Sequence, residues 1–171
     1  MSTPDLRRQL GRLGGAFIIA ALERASRRLD LRFTPTLIFL AVAQGNLSGR
    51  ASDEDLLATE LSPLGVMPDE ARRPVSAYSV SKRLSIPYET VRRHIRDLVQ
   101  QGRCEAWEDG FVVPAKVFGH SRSRAETQAV LDAVRNLVAA CQAAGFQPDP
   151  AAAPSQPMTA HHVGRLATTY A

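Results

Sequence analysis

The stretch SVSKRLSIPYETVRRHIRDLVQQG, residues 79–102, contains two short helical patterns separated by the turn Ser85-Ile86-Pro87. Ser76, just before it, is a favoured N-cap residue, so we predict that the first helix starts there. Its core-facing residues recur at helical spacing: Ala77, Val80 and Leu84. Pro87 suits the first turn of a new helix because its φ angle is already helical. We therefore predict a second helix over residues 87–101.

In this second helix, apolar and charged residues fall on opposite sides. Val91, Ile95 and Leu98 recur at spacings of four and three, so they face the core. The residues that project to the opposite side are mainly charged: Glu89, Arg92, Arg93, Arg96 and Gln100. An α-helix fits the DNA major groove, and the planar fork of arginine bonds O6 and N7 of guanine. The pattern is therefore typical of a helix that reads DNA bases.

Each residue type at this face suggests a role. Arg92 and Arg93 suit contacts to bases, and Glu89 can accept a hydrogen bond from cytosine. The other polar side chains suit phosphate contacts, which hold the protein in register. The whole predicted DNA-binding set is Ser76, Lys82, Pro87, Tyr88, Glu89, Thr90, Arg92, Arg93, Arg96 and Arg103.

The charge distribution supports a local binding face. The whole chain of 171 residues has a net charge of +4, which only mildly favours an acidic partner. Residues 75–103 alone carry six basic and two acidic side chains, an excess equal to that of the chain. An acidic stretch lies upstream, with Asp53, Glu54, Asp55, Glu60, Asp69 and Glu70. The basic excess is therefore concentrated where the two helices are predicted.

The segments around the two helices predict further elements. In RCEAWEDGFVVP, residues 103–114, two short strands flank Asp109-Gly110, a strong hairpin turn signal. We assign Trp107 in this hairpin to core packing rather than to base stacking. TPTLIFLAVAQGNL, residues 34–47, predicts an apolar core helix that stops at Gly45 or Asn46.

This order of elements over residues 34–114 resembles the winged helix-turn-helix of bacterial transcription regulators, the broad group that includes the MarR, GntR and IclR families. The resemblance implies a mainly α fold with a small β wing, in which RRPVS, residues 72–76, supplies a small strand that pairs with the wing. It also implies sequence-specific binding to double-stranded DNA by a regulator of transcription. We expect long N- and C-terminal helices to flank this domain, and we expect a cytoplasmic homodimer. We expect the DNA-binding domain to span residues 34–118.

Two features depart from this group. Residues 48–72 form an acidic segment longer than the usual connection, which we interpret as an insertion. The wing carries Glu105, Glu108 and Asp109, whereas wings that enter the minor groove usually offer arginine or lysine. We therefore expect the wing tip to contribute little to DNA affinity, and Arg103 and Lys116 at its base to contribute more.

The remaining segments predict two long helices and a tail. Residues 1–33 contain a helix from Pro4 to about Arg28 that is apolar on more than one side in its later half. Residues 119–146 contain a second helix, with Val130, Val134, Leu137 and Cys141 on one stripe. We assign both helices to dimerisation, and the Pro/Ala-rich residues 147–171 to a flexible tail.

Other classes of protein fit less well. The sequence has no Gly-rich phosphate loop, no G-x-S-x-G and no His, Cys or Asp pair with metal-ligand spacing, so we expect neither an enzyme nor a cofactor. Cys104 and Cys141 have no CxxC spacing, and we expect two buried free thiols. No apolar run reaches the ~20 residues of a membrane span, and no signal peptide is visible.

Three alternatives remain open. A winged-helix module that binds another protein is favoured if Arg92, Arg93 and Arg96 are neutralised by Glu89, Asp97 or the acidic insertion. A plasmid replication or partition factor would use the same fold on DNA. An RNA-binding winged helix suits an arginine face less well, since the major groove of A-form RNA is deep and narrow. A small-molecule effector is compatible with the apolar surplus, but no residue identifies a ligand.

Overall fold

A computed structural model describes residues 3–47, 67–118 and 121–147, which fall into two compact units. One unit contains the described residues up to Phe33 and those after His120, and the other contains those between Thr34 and Gly119. The described residues form the helices α1 (Thr3–Leu29), α2 (Phe33–Leu47), α3 (Ala77–Leu84), α4 (Tyr88–Gln100) and α5 (Ser121–Ala143), and the antiparallel strands β1 (Glu105–Trp107) and β2 (Gly110–Val112). The expectation of a mainly α protein with a small β element is confirmed.

The first unit consists of α1 and α5, which pack against each other. Both helices lie within three residues of their predicted bounds. α5 ends at Ala143, and just beyond it Gly145 has a φ of +93° while the N–H of Phe146 donates a 2.9 Å hydrogen bond to the carbonyl of Cys141. This left-handed glycine closes the last helical turn, as in many helix C-termini.

The second unit has a small core that α2, α3, α4 and the end of β2 share. Its most deeply buried apolar side chains are Ile38, Val42, Val80, Val91, Ile95, Leu98, Val112 and Val113. The three from α4 are the ones predicted to face the core. The burial of this one side therefore sets which side of α4 meets solvent.

The predicted end of α2 is wrong, because the helix continues through Gly45 and Asn46 to Leu47. Packing requires a glycine at position 45, because a Cβ there would lie 2.6 Å from Cγ2 of Val75. Asn46 is only 1% exposed, and its side chain bonds the backbone of distant residues. Both residues resemble stop signals in the sequence but are used for contacts within the unit.

The side chain of Asn46 joins the end of α2 to the hairpin. Its Nδ2 donates to the carbonyls of Arg73 at 2.6 Å and of Phe111 at 3.0 Å. Its Oδ1 accepts a 2.9 Å hydrogen bond from the N–H of Val113. These three bonds satisfy the buried amide, whose burial without partners would be costly.

The hairpin differs from the prediction by one residue. Trp107 pairs with Gly110, so the loop consists of Glu108 and Asp109 rather than of Asp109-Gly110. The predicted strand at residues 72–76 is reduced to a single bridge, in which Val75 and Phe111 exchange two 3.0 Å backbone hydrogen bonds. Gly110 has φ of +146°, and a Cβ there would lie 2.8 Å from the backbone of Val75. The close approach of the Val75 backbone therefore explains why position 110 is a glycine.

The part of the predicted insertion that the structure describes, residues 67–72, is anchored by the buried side chains of Met67 and Arg72. Arg72 is buried, and its Nη2 donates a 2.8 Å hydrogen bond to the carbonyl of Met67. Its Nε lies 3.2 Å from Oδ1 of Asp69, and the same oxygen accepts a 2.6 Å hydrogen bond from the N–H of Ala115. Burial lowers the pKa of Arg72, while the carboxylate of Asp69 opposes this shift. The rest of the insertion, residues 48–66, lies outside the described residues, as does the predicted tail beyond residue 147.

Two burial predictions need correction. Trp107 is 38% exposed, so it does not belong to the core. It is the last strand residue before the hairpin loop, whose residues Glu108 and Asp109 are themselves exposed. Cys104 is buried as predicted, but Cys141 is only half-buried. Both cysteines are free thiols.

Candidate functional site

The candidate site is the exposed side of α4, and Pro87 sets the start of that helix. The helix begins at Tyr88, one residue after the predicted start, and Pro87 is its N-cap residue. The carbonyl of Pro87 accepts hydrogen bonds from Thr90 at 3.0 Å and Val91 at 3.1 Å. A proline loses nothing at a helix start, where its missing N–H would have no helical partner. The helix ends at Gln100, one residue before the predicted end.

The side of α4 opposite the core is polar and accessible. Val91, Ile95 and Leu98 are fully buried, whereas the residues predicted on the other side are all exposed: Glu89, Arg92, Arg93, Arg96 and Gln100. Tyr88 is also exposed, and Thr90 is half-buried at the edge. We call Glu89, Arg92, Arg93 and Arg96 together the arginine face.

Ion pairs neutralise only part of the arginine face. Arg92 lies 3.6 Å from the carboxylate of Glu89, one helical turn away, and both side chains are more than half exposed. Asp97 pairs instead with His94, at 3.9 Å. Within the described residues, Arg93 and Arg96 form no ion pair. Two of the three guanidinium groups are therefore available to an acidic partner.

The turn between α3 and α4 is closed by local hydrogen bonds. Ser85 has the left-handed φ of +54°, and its N–H bonds the carbonyl of Ser81. Ile86 closes the turn from both sides: its N–H donates to the carbonyl of Ser81 at 3.2 Å, and its own carbonyl accepts a 2.7 Å bond from the Ser81 hydroxyl. These contacts limit how α3 and α4 can move relative to each other, so the arginine face has a defined direction.

Ser76 has the capping role predicted from the sequence. Its side chain accepts a 3.1 Å hydrogen bond from the N–H of Ser79 at the start of α3. The residue is exposed, so the hydroxyl remains accessible. Its local role already accounts for a serine at this position.

One exposed aromatic residue was missed by the sequence reasoning. Tyr78 on α3 is 61% exposed, and the ammonium of Lys82 lies 5.4 Å from the centre of its ring. The spacing of four residues on a helix, with Ala77 and Val80 buried, was a signal that could have revealed this pair. Tyr78 and Lys82 extend the accessible polar surface of the two-helix segment.

The hairpin carries less accessible positive charge than the sequence predicts from Arg103 and Lys116 at its base. Lys116 donates a 2.7 Å hydrogen bond to the carboxylate of Glu105, which raises the pKa of the lysine. Arg103 is half-buried, and its Nε donates a 3.0 Å hydrogen bond to the side chain of Gln101. The loop residues Glu108 and Asp109 are exposed and negative. The hairpin therefore contrasts in charge with the arginine face.

The described residues contain neither a metal-ligand cluster nor a membrane-spanning helix. No group of three His, Cys, Asp or Glu side chains in the part of the chain that the structure describes could hold a metal ion. His161 and His162, the adjacent pair in the sequence, lie outside that part. None of the described helices is both long and apolar enough to cross a membrane.

Comparisons with family models, with curated proteins and with solved structures found no match for this chain.

Proposed function

We propose that this protein binds double-stranded DNA through the arginine face and acts as a winged helix-turn-helix regulator of transcription. The observation that carries the proposal is the exposure of Arg92, Arg93 and Arg96 on one side of a helix whose other side is fully buried. A helix with side chains is about 10–12 Å across. It therefore fits a major groove that is about 12 Å wide.

The surrounding elements support this assignment. A bridge at Val75, the helix pair α3 and α4, and the hairpin of β1 and β2 follow α2 in the chain. This is the order of elements in a winged helix-turn-helix, with α4 as the recognition helix and the hairpin as the wing. The closed turn at residues 85–87 would hold α4 in one direction as it enters the groove.

The ion pair within the arginine face does not prevent such binding. An exposed pair such as Arg92–Glu89 contributes only about 0–1 kcal/mol. Loss of a bidentate contact between arginine and guanine costs about 1–3 kcal/mol of binding free energy. Arg92 therefore gains more from guanine than it loses from Glu89, which is then free to accept a hydrogen bond from cytosine.

Fluorescence anisotropy with labelled duplex DNA at two salt concentrations tests the proposal. We expect wild-type protein to bind and to weaken steeply as salt rises, because phosphate contacts release counterions. The variant Arg92→Ala/Arg93→Ala should lose at least about tenfold in affinity. Its salt dependence should also be shallower, because two cations that displace counterions from the DNA are removed.

A matched control separates recognition by α4 from attraction by net charge. Arg7→Ala/Arg8→Ala removes the same charge from two exposed positions of α1. This control should bind DNA much more tightly than the α4 variant. Equal losses in the two variants would show that binding follows net charge, and the assignment of α4 would be wrong. Absence of binding by wild type at low salt would contradict DNA binding altogether.

A protein-binding role is the second candidate, and two observations favour it. Glu89 neutralises one of the three arginines, and Trp107 is exposed next to the negative residues Glu108 and Asp109. If wild type does not bind DNA, affinity capture should compare wild type with Trp107→Ala and Arg93→Ala. A partner retained by wild type and lost in either variant would support this candidate.

A plasmid replication or partition factor would place the same face on DNA. Selection of the preferred sequence from a random library separates it from a transcription regulator. A preferred sequence that recurs beside promoters supports regulation, and one that recurs at a replication origin or partition locus supports the other role.

A further inference from the structure

We infer that the first unit associates with a second copy of itself, and that the two pairs of α1 and α5 form a four-helix bundle. The inference concerns a surface distant in sequence from the arginine face and does not depend on DNA binding. It rests on how little of this unit is buried within one chain, and on what remains uncovered.

The first unit has almost no core of its own. Among its residues with described side chains, only Leu29 and Ala144 are buried. Two helices that contact each other along one line cannot enclose apolar side chains between them, whereas four helices can. The described residues of this unit therefore lack an enclosed apolar core.

Both helices leave large apolar side chains uncovered. On α1, Ile18 and Ile19 are 57% and 62% exposed. On α5, Val130, Val134 and Val138 recur every four residues and are 52%, 41% and 48% exposed. We call these five residues the uncovered stripes. On each helix the uncovered stripe lies beside half-buried apolar residues, so the apolar surface is wider than the contact between α1 and α5.

The charges near the uncovered stripes suit a second copy better than a charged partner. Residues 13–22 of α1 contain no ionisable side chain. On α5, residues 128–147 carry only Asp132 and Arg135, which pair with each other at 3.4 Å. A two-fold symmetric contact brings identical surfaces together. Because these surfaces have no net charge, two copies meet without repulsion.

The size of the surface is also that of a stable dimer. With a rise of about 1.5 Å per residue, the 23 residues of α5 extend over about 35 Å. Two helices about 10 Å wide then present a face of roughly 700 Å². A standard protein–protein interface buries about 800 Å² on each partner. The face is therefore large enough to hold a dimer together.

Sedimentation and light scattering of the full chain over a micromolar concentration range test the inference. We expect wild type to have twice the mass of one chain and to dissociate on dilution. Val134→Glu places a charge in the uncovered stripe of α5 and should raise the dissociation constant at least about tenfold. Ala139→Glu is the matched control, since Ala139 is exposed on the opposite side of α5 and should leave the dimer unchanged.

A second variant keeps the test valid if Val134→Glu does not fold. In Val130→Ala/Val134→Ala/Val138→Ala, each substitution favours an isolated helix, because alanine has the higher helix propensity. It should nevertheless weaken the dimer, because buried methyl groups are lost. The expected result is a weaker dimer with normal helix content by circular dichroism. A wild type that stays monomeric, or a triple variant that melts higher without any change in association, would overturn the inference.

Discussion

The backbone N–H of Val113 donates a 2.9 Å hydrogen bond to Oδ1 of Asn46, which lies 67 residues earlier in the chain. The amide nitrogen of the same side chain donates to the carbonyls of Arg73 and Phe111. One buried asparagine thus joins the end of α2, the strand bridge and the end of the hairpin. The hairpin is held to the helical part of the unit by these bonds as well as by its apolar residues.

Asn46→Leu should strongly destabilise the second unit. The substitution removes the side-chain partner of the Val113 N–H and of the Arg73 carbonyl, whereas the Phe111 carbonyl keeps its bond from the N–H of Val75. Each buried unpaired group costs about 1–3 kcal/mol, so we expect the free energy of unfolding to fall by about 2 kcal/mol or more. Urea unfolding followed by fluorescence of Trp107, the only tryptophan in the chain, would measure the loss. The control is Asn136→Ala at an exposed position of α5, and an equal effect in both variants would refute this role of Asn46.

Gly110→Ala should also destabilise the hairpin, since its Cβ would lie 2.8 Å from the backbone of Val75. The control is Gly102→Ala, at a left-handed φ of +67° with no other atom within 4 Å of the added Cβ. In the control, the free energy of unfolding should fall by only about 1–2 kcal/mol, which is the cost of the left-handed conformation for a residue with a Cβ. We expect a clearly larger loss at position 110, measured by the same unfolding experiment. Equal losses of stability in the two variants would mean that the backbone conformation, and not the contact with Val75, requires a glycine at position 110.

The two thiols should react at very different rates. Burial raises the pKa of Cys104 to about 12 from its ordinary 9.0, so its thiol stays protonated and is shielded at neutral pH. Alkylation of the native protein, followed by mass spectrometry of its peptides, should label the half-buried Cys141 first. Fast labelling of Cys104 in folded protein would contradict its burial.

The same shift predicts how stability depends on pH. Because the unfolded chain releases the Cys104 proton at lower pH than the folded chain does, the contribution of this thiol is complete below pH 9.0 and is lost as pH rises to about 12. Cys104→Ala should show a smaller decrease in stability between these values than wild type. If stability decreases equally in the variant and in wild type, groups other than Cys104 cause this pH dependence.

If the arginine face binds DNA, the hairpin loop should weaken that binding. Glu108→Gln/Asp109→Asn removes two exposed negative charges from the proposed wing, and we expect affinity to rise several-fold at low salt. Glu23→Gln/Asp132→Asn removes the same charge from the first unit and serves as the control in the anisotropy experiment. An unchanged affinity in the hairpin variant would place the loop away from the DNA.

The faces of α4 were predictable because a helix repeats every 3.6 residues. The spacing of Val91, Ile95 and Leu98 identified the buried side, and the arginines on the other side followed from the same period. The cap at Ser76 and the turn before Pro87 were also predictable, since capping involves residues that are close in sequence. Whether the arginine face binds DNA remains a prediction.

The roles of Gly45, Asn46 and Gly110 depended on contacts with residues far away in the chain. Glycine and asparagine are common where helices stop, but Gly45 makes room for Val75, and Asn46 bonds residues up to 67 positions away. The hairpin loop shifted by one residue because Gly110 is needed beside Val75 rather than in the turn. Trp107 was assigned to the core by its type, yet its place at the end of the hairpin leaves it exposed. Local periodicity specifies which side of a helix is apolar, because neighbouring residues share one helix. Which distant backbone meets a given side chain is specified only when the elements pack together.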